Sequence, residues 1–185
     1  RLVYLHAEYP FTLDPQNTSA FAGALALEFF DTLVTYEIDP ATGIADQTKI
    51  IPRLAESWEI SDDNKVLTFK LRQDAKFWDG TPVTAEDVAY TFERAADDAN
   101  AFTGNTAGFV LDAIDYQGAR ADSDLEVTIQ MGRYTSPALG LISEAFIHCK
   151  DSYSAMSLED AAATPIGSGP YRFVEWVKDD YVLLE

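Results

Sequence analysis

A mixed α/β fold around one hydrophobic core is what this sequence predicts, and three observations predict it. Hydrophobic residues make up 47% of the 185 positions and aromatics 12%, enough to fill a core and too much for a disordered chain. Leu67, Phe69 and Leu71, and again Leu125, Val127, Ile129 and Met131, alternate with polar residues, the period of a strand with one buried face. Phe21, Leu25 and Phe29 with Ala22, Ala26 and Phe30, and farther on Val88, Phe92 and Ala95, keep helical spacing.

Taken in order, residues 2–6 read as a strand, followed by a turn-rich stretch with two prolines, and a helix follows from Ser19. "DTLVTYEID" reads as a strand stopped by Pro40 and the "PATG" turn. Trp58 and Ile60 face Leu67 and Phe69 across the "SDDNK" turn, which predicts a hairpin. In "FWDGTPVTAEDVAYTFER", Asp79-Gly80 supplies a tight turn and Pro82 keeps Thr81 out of helix. Thr84 then stands as N-cap with Asp87 three residues on, a capping box, and the first-turn carboxylates suit the helix dipole. That block therefore reads mainly as scaffold. Residues 97–108 read as an exposed polar loop carrying Phe102, and "SPALGLISEAFI" as a helix with Ser136 as N-cap and Pro137 at its first position. A short helix, a Pro/Gly turn, a strand through Phe173 and a strand begun at Tyr181 complete the chain.

Thirteen Lys and Arg against thirty-one Asp and Glu give a net charge of −18, which disfavours nucleic acid and anionic membranes as partners. No apolar run approaches the roughly 20 residues of a membrane span. A single cysteine, Cys149 in "EAFIHCK", reads as a core thiol and rules out an internal disulfide or a multi-cysteine zinc site. No export signal opens the chain, which fits either a cytosolic protein or a processed secreted one.

Catalytic motifs are missing: there is no G-x-S-x-G, H-E-x-x-H, Walker or dinucleotide fingerprint. His6 and His148 lack a companion at metal-ligand spacing, and "SDDNK" lacks the spacing of a calcium loop. "GSGPY" is a poor phosphate cradle because Pro170 removes an amide donor. No catalytic residue, metal site or cofactor is expected. Binding is the remaining chemistry, and Phe21, Phe102 and Phe146, near loop or helix ends, are aromatics that suit either a ligand wall or the core.

"FTLDPQ", "FFDTLVTYE", "IPRLAESWEIS", "LTFKLRQDAKFWDGTPVTAEDVAYTFER" and "TPIGSGPYRFVEW" occur in an order and spacing that resembles the extracellular solute-binding proteins of family 5. These are the peptide-, nickel- and oligosaccharide-binding receptors of ABC importers. The resemblance implies a type II periplasmic-binding fold, a mixed sheet with flanking helices, and here only the N-terminal part of its first lobe over residues 1–185. It implies an extracytoplasmic receptor that closes on a solute, with peptides first, and hands it to a membrane permease. It makes Trp78, Asp79, Gly80, Pro82, Thr84, Asp87, Gly167, Gly169 and Pro170 the structural signature, and nominates Ser19, Phe21, Phe102, Phe146 and His148 as residues near the ligand. An oligosaccharide or nickel-chelate receptor is the alternative within the family. An acidic hydrolase and a solitary lobe that binds a protein partner are the alternatives outside it.

Overall fold

The computed structural model describes residues 10–17, 23–97, 100, 106–133, 135, 137–178 and 180–185. The expected strand at residues 2–6 and the positions Ser19, Phe21, Phe102 and Ser136 lie outside the described residues. Along the chain a 3-10 turn at Pro15–Asn17 precedes α1 (Gly23–Phe29), β1 (Val34–Ile38), β2 (Ala45–Pro52), β3 (Ala55–Ile60) and β4 (Val66–Leu71). Then come α2 (Ala85–Ala96), α3 (Thr106–Ile114), β5 (Tyr116–Ser123), β6 (Glu126–Met131), α4 (Ala138–Ile142), α5 (Lys150–Tyr153), α6 (Leu158–Ala163), β7 (Phe173–Val177) and β8 (Tyr181–Leu184). All ladders among the described residues are antiparallel: a four-stranded sheet in the order β3-β4-β6-β5, and the pairs β1-β2 and β7-β8.

The four-stranded sheet follows from its apolar alternation. Trp58 pairs with Phe69 and Ile60 with Leu67 across the predicted hairpin, whose turn puts Asn64 at positive φ, a conformation Asn tolerates. Leu67 then opposes Ile129, and Phe69 opposes Val127, so the two alternating strands share one buried face. Against that core α2 buries Ala85, Val88, Ala89 and Phe92, and Phe92 stacks on Tyr116 of β5 with ring centroids 5.9 Å apart.

Two expectations need correction. Residues 106–108 belong to α3, not to a loop, because Val110, Leu111 and Ile114 bury one face of that helix while Phe109 is 61% exposed on the other. Of the helix predicted over "SPALGLISEAFI", residues 136–147, only α4 forms. Pro137 is its N-cap, not its first residue, and Phe146 leaves to bridge Thr32. Tertiary hydrogen bonds there override the helical spacing, since Ile147 N–H also donates to the Asp31 carbonyl at 2.9 Å. The strand expected at Tyr181 stands as β8, which pairs with β7 through residues such as Trp176 and Val182.

The signature block behaves as scaffold. Gly80 sits at φ +91°, where any side chain is strained, and Asp79 Oδ1 closes the turn by accepting from the Thr81 amide at 2.9 Å and hydroxyl at 2.6 Å. Pro82 bridges back to Lys76, ahead of the helix start. Asp87 Oδ2 accepts from both the Thr84 amide at 2.8 Å and its hydroxyl at 2.7 Å, while Oδ1 accepts from the Lys150 amide at 2.8 Å. The cap thus also anchors α5. Trp78 donates its amide to Gly167 O at 3.0 Å and its indole N–H to Gly169 O at 3.1 Å. Gly169 N–H donates to Phe29 O and Tyr171 N–H to Glu28 O, so Pro170, between them, needs no donor of its own. A Cβ on Gly169 would lie 2.5 Å from the Phe29 carbonyl carbon, a backbone approach only glycine permits.

Candidate functional site

The tightest polar cluster among the described residues joins segments far apart in sequence. Asp14, at the start of the 3-10 turn, receives Arg94 Nη2 of α2 on Oδ2 at 2.6 Å, with both side chains nearly solvent-free. Arg94 Nη1 also donates to the Gln16 amide oxygen, and Gln16 Nε2 donates to Thr91 O at 2.7 Å. His148, 0% exposed, sets Nε2 3.3 Å from Asp14 Oδ1 and Nδ1 2.9 Å from Phe146 O, and its amide donates to the Thr91 hydroxyl at 2.9 Å. Its ring lies edge-on to Tyr153, with centroids 4.6 Å apart, and beside Phe30.

The charges divide by environment. Burial alone would raise the Asp14 carboxyl, but hydrogen bonds and positive charge from His148 and Arg94 outweigh it and hold it well below the usual carboxylate range. Burial pushes the His148 imidazole down, and its bond to Asp14 restores only part of that. The permanent pair is therefore Asp14 with Arg94, and His148 packs against it.

Gln16 and Thr91 of this cluster line a small, mostly apolar pocket that opens to solvent and has room for about one water molecule. Pro15 and Gln16 of the 3-10 turn, Phe92 and Ala95 of α2, Val110 and Leu111 of α3, and Ala145 and Phe146 line it. Arg94 and the 3-10 turn are brought together by Asp14 and Gln16, and α3 packs on both the turn and α2. Such a concave, mostly apolar surface backed by fixed polar groups is a wall for a small solute.

Of the residues nominated from the sequence, Phe146 is 3% exposed and lines this pocket, and His148 lies behind it, bonded to its carbonyl. Ser19, Phe21 and Phe102 lie outside the described residues. Asp14, Gln16, Thr91 and Arg94 were not legible as a site, although Asp14 and Gln16 stand in "FTLDPQ" and Arg94 in "TFER". Partners 57 to 134 positions apart leave no local pattern to read. Cys149 is buried as expected, and no metal-holding group of three His, Cys, Asp or Glu occurs among the described residues.

Comparison with known proteins meets this geometry. A probable D,D-dipeptide-binding periplasmic protein, DdpA, of Escherichia coli (strain K12) is 31% identical over 99% of this chain and 35% of its own length. The dipeptide-binding protein DppE of Bacillus subtilis (strain 168) is 29% identical over 72% of this chain and 27% of its own. The solved structure of the binding protein MoaA from A. tumefacien R10, in complex with mannopinic acid, superposes with a TM-score of 0.79 at 31% identity, covering 96% of this chain and 35% of that one. The chain thus spans about a third of the length of the relatives it matches. Residues 49–185 match the family model described as bacterial extracellular solute-binding proteins, family 5 middle, and the chain belongs to that family.

Proposed function

We propose that the polypeptide carrying this chain is the extracytoplasmic solute receptor of an ABC importer, which takes up peptides and delivers them to a membrane permease. The family match over residues 49–185, together with dipeptide-binding relatives at 29% and 31% identity, carries this assignment. Residues 1–185 form part of the first of two lobes, and the ligand is held between that lobe and the second. The apolar pocket at the 3-10 turn, α2, α3 and Phe146 is this lobe's contribution to the wall. Phe146 contacts solute there, while His148 holds the Phe146 backbone in place; Ser19, Phe21 and Phe102 are proposed solute contacts from the family resemblance alone. The receptor releases its solute chemically unchanged and is not an enzyme.

A second solute class, an opine such as mannopinic acid, draws support from the 31% identical structure that holds one. The deciding experiment is a native mass spectrum of the full polypeptide recovered from its own cell envelope. A discrete extra mass that dissociates unchanged and fragments into amino-acid residues supports the peptide receptor. A sugar-amino-acid conjugate would move the assignment to opines. Conversion of the retained molecule on incubation would replace the receptor by an enzyme, and a chain of only 20.4 kDa without any retained mass would replace it by a solitary-lobe interaction module.

A further inference from the structure

Asp79-Gly80 in the signature turn is the only Asp-Gly step in the sequence, which has no Asn-Gly. An aspartate followed by glycine is the pair most open to ring closure, because no side chain on the second residue shields its amide nitrogen. Asp79, Gly80, Thr81 and Pro82 are all exposed, so solvent reaches the turn. Each reacting group is nevertheless engaged. Gly80 N–H donates to Phe77 O at 2.9 Å, and Asp79 Oδ1 accepts from the Thr81 hydroxyl at 2.6 Å and amide at 2.9 Å. The hydroxyl bond first, and the amide bond with it, hold the Asp79 carboxyl below its ordinary value, which favours the ionised form, the poorer electrophile. Phe77 N–H, donating to Thr81 O at 2.9 Å, closes the turn from the other side.

We propose that Asp79-Gly80 is a latent site of spontaneous isomerisation, and that Thr81 is the lock that holds it closed in the folded protein. With the carboxyl protonated, Gly80 N bonds to Asp79 Cγ, the Cγ–OH bond breaks, and the hydroxyl leaves with the amide proton as water. The cyclic imide that remains takes up water again. Opening at the Asp79 main-chain carbonyl breaks its bond to Gly80 and leaves the chain running through Cγ, an isoaspartate of unchanged composition. One carbon is thereby added to the backbone between Phe77 and Thr81, which puts the Phe77–Thr81 and Gly80–Phe77 bonds out of register. Trp78, whose amide and indole tie the turn to Gly167 and Gly169, is displaced with it. Ring closure requires the turn to open, so its rate follows the fraction of molecules locally open. This chemistry is independent of which solute the receptor takes.

The test ages the full-length polypeptide at neutral pH beside a synthetic peptide of residues 76–83, "KFWDGTPV". Isoaspartate at residue 79 is counted by enzymatic methylation and fragment-ion mass spectrometry. The expected result is that the folded protein forms it about tenfold or more slower than the peptide. Thr81→Val, which keeps the side chain's shape and loses its hydroxyl, is expected to form it at least about threefold faster than wild type. Thr81→Ser, which keeps the hydroxyl, is expected to match wild type. Unchanged amide exchange across α2 shows that each variant folds and that the opening is local. Formation in folded wild type at the peptide's rate overturns the proposal. Equal rates for wild type and Thr81→Val overturn Thr81 as the lock, and no isoaspartate in the peptide overturns the site itself.

Discussion

The turn and cap at Phe77–Asp87 and the cluster around Asp14 use the same materials in opposite ways. Both rest on an aspartate that accepts several hydrogen bonds. Asp79 takes its two bonds from Thr81, two positions away and in solvent, and Asp87 takes two from Thr84, three positions away, besides the one from the Lys150 amide. Asp14 adds to one local bond, from the Gln16 amide, bonds from Arg94 and His148, 80 and 134 positions away, with 2% of its side chain exposed. The first region shapes the chain locally and is scaffold. The second pins three distant segments together beside a pocket, and there loss of either member of the Asp14–Arg94 pair leaves a buried charge behind.

That difference sets the order of expected effects. Arg94→Met, which strands the Asp14 carboxylate, is expected to cost about 3–5 kcal/mol in urea unfolding, the largest loss of the series. A loss below about 1 kcal/mol would erase the contrast between the regions. Gly169→Val is expected to cost about 1–3 kcal/mol through the clash with the Phe29 backbone. Gly80→Val, where no atom lies within 4 Å of the added Cβ, tests positive φ alone and is expected to cost about 1–2 kcal/mol. Asp79→Ala removes two hydrogen bonds at an exposed turn and is expected to cost about 0.5–1 kcal/mol.

Acid sharpens the same contrast. His148 has a folded pKa below its unfolded value of 6.5, so its contribution to stability is complete above that pH and is lost as pH falls below it toward the folded pKa. Asp14 has a folded pKa depressed below 3.8, so its contribution is complete above that value and is lost only on further acidification. Urea midpoints between pH 7.5 and 5 are therefore expected to fall more steeply for wild type than for His148→Gln. Parallel curves would mean that His148 does not titrate in that window.

The sequence made the local region legible and left the distant one unread. The Thr84–Asp87 cap, the Trp58–Phe69 and Ile60–Leu67 pairings and the α2 stripe all follow from spacing within about a dozen residues, and they stand in the structure. β5, with "YQGARADS", shows no apolar alternation and is a strand because β6 supplies its partners, Ala119 opposite Ile129 among them. α3 carried a readable signal in Val110, Leu111 and Ile114, which the polar residues before it masked. Of the site, Phe146 was marked by its place near a helix end as well as by family resemblance and His148 by resemblance alone, whereas Asp14, Gln16 and Arg94 needed the fold to bring them together.

Amide hydrogen exchange on the full-length polypeptide, free and saturated with the peptide that calorimetry finds to bind, tests the division between scaffold and site most directly. Slowed exchange at residues 15–17, 108–111 and 144–148, with 77–87 unchanged, is the predicted result. Slowing confined to 77–87, with none around the pocket, would contradict it.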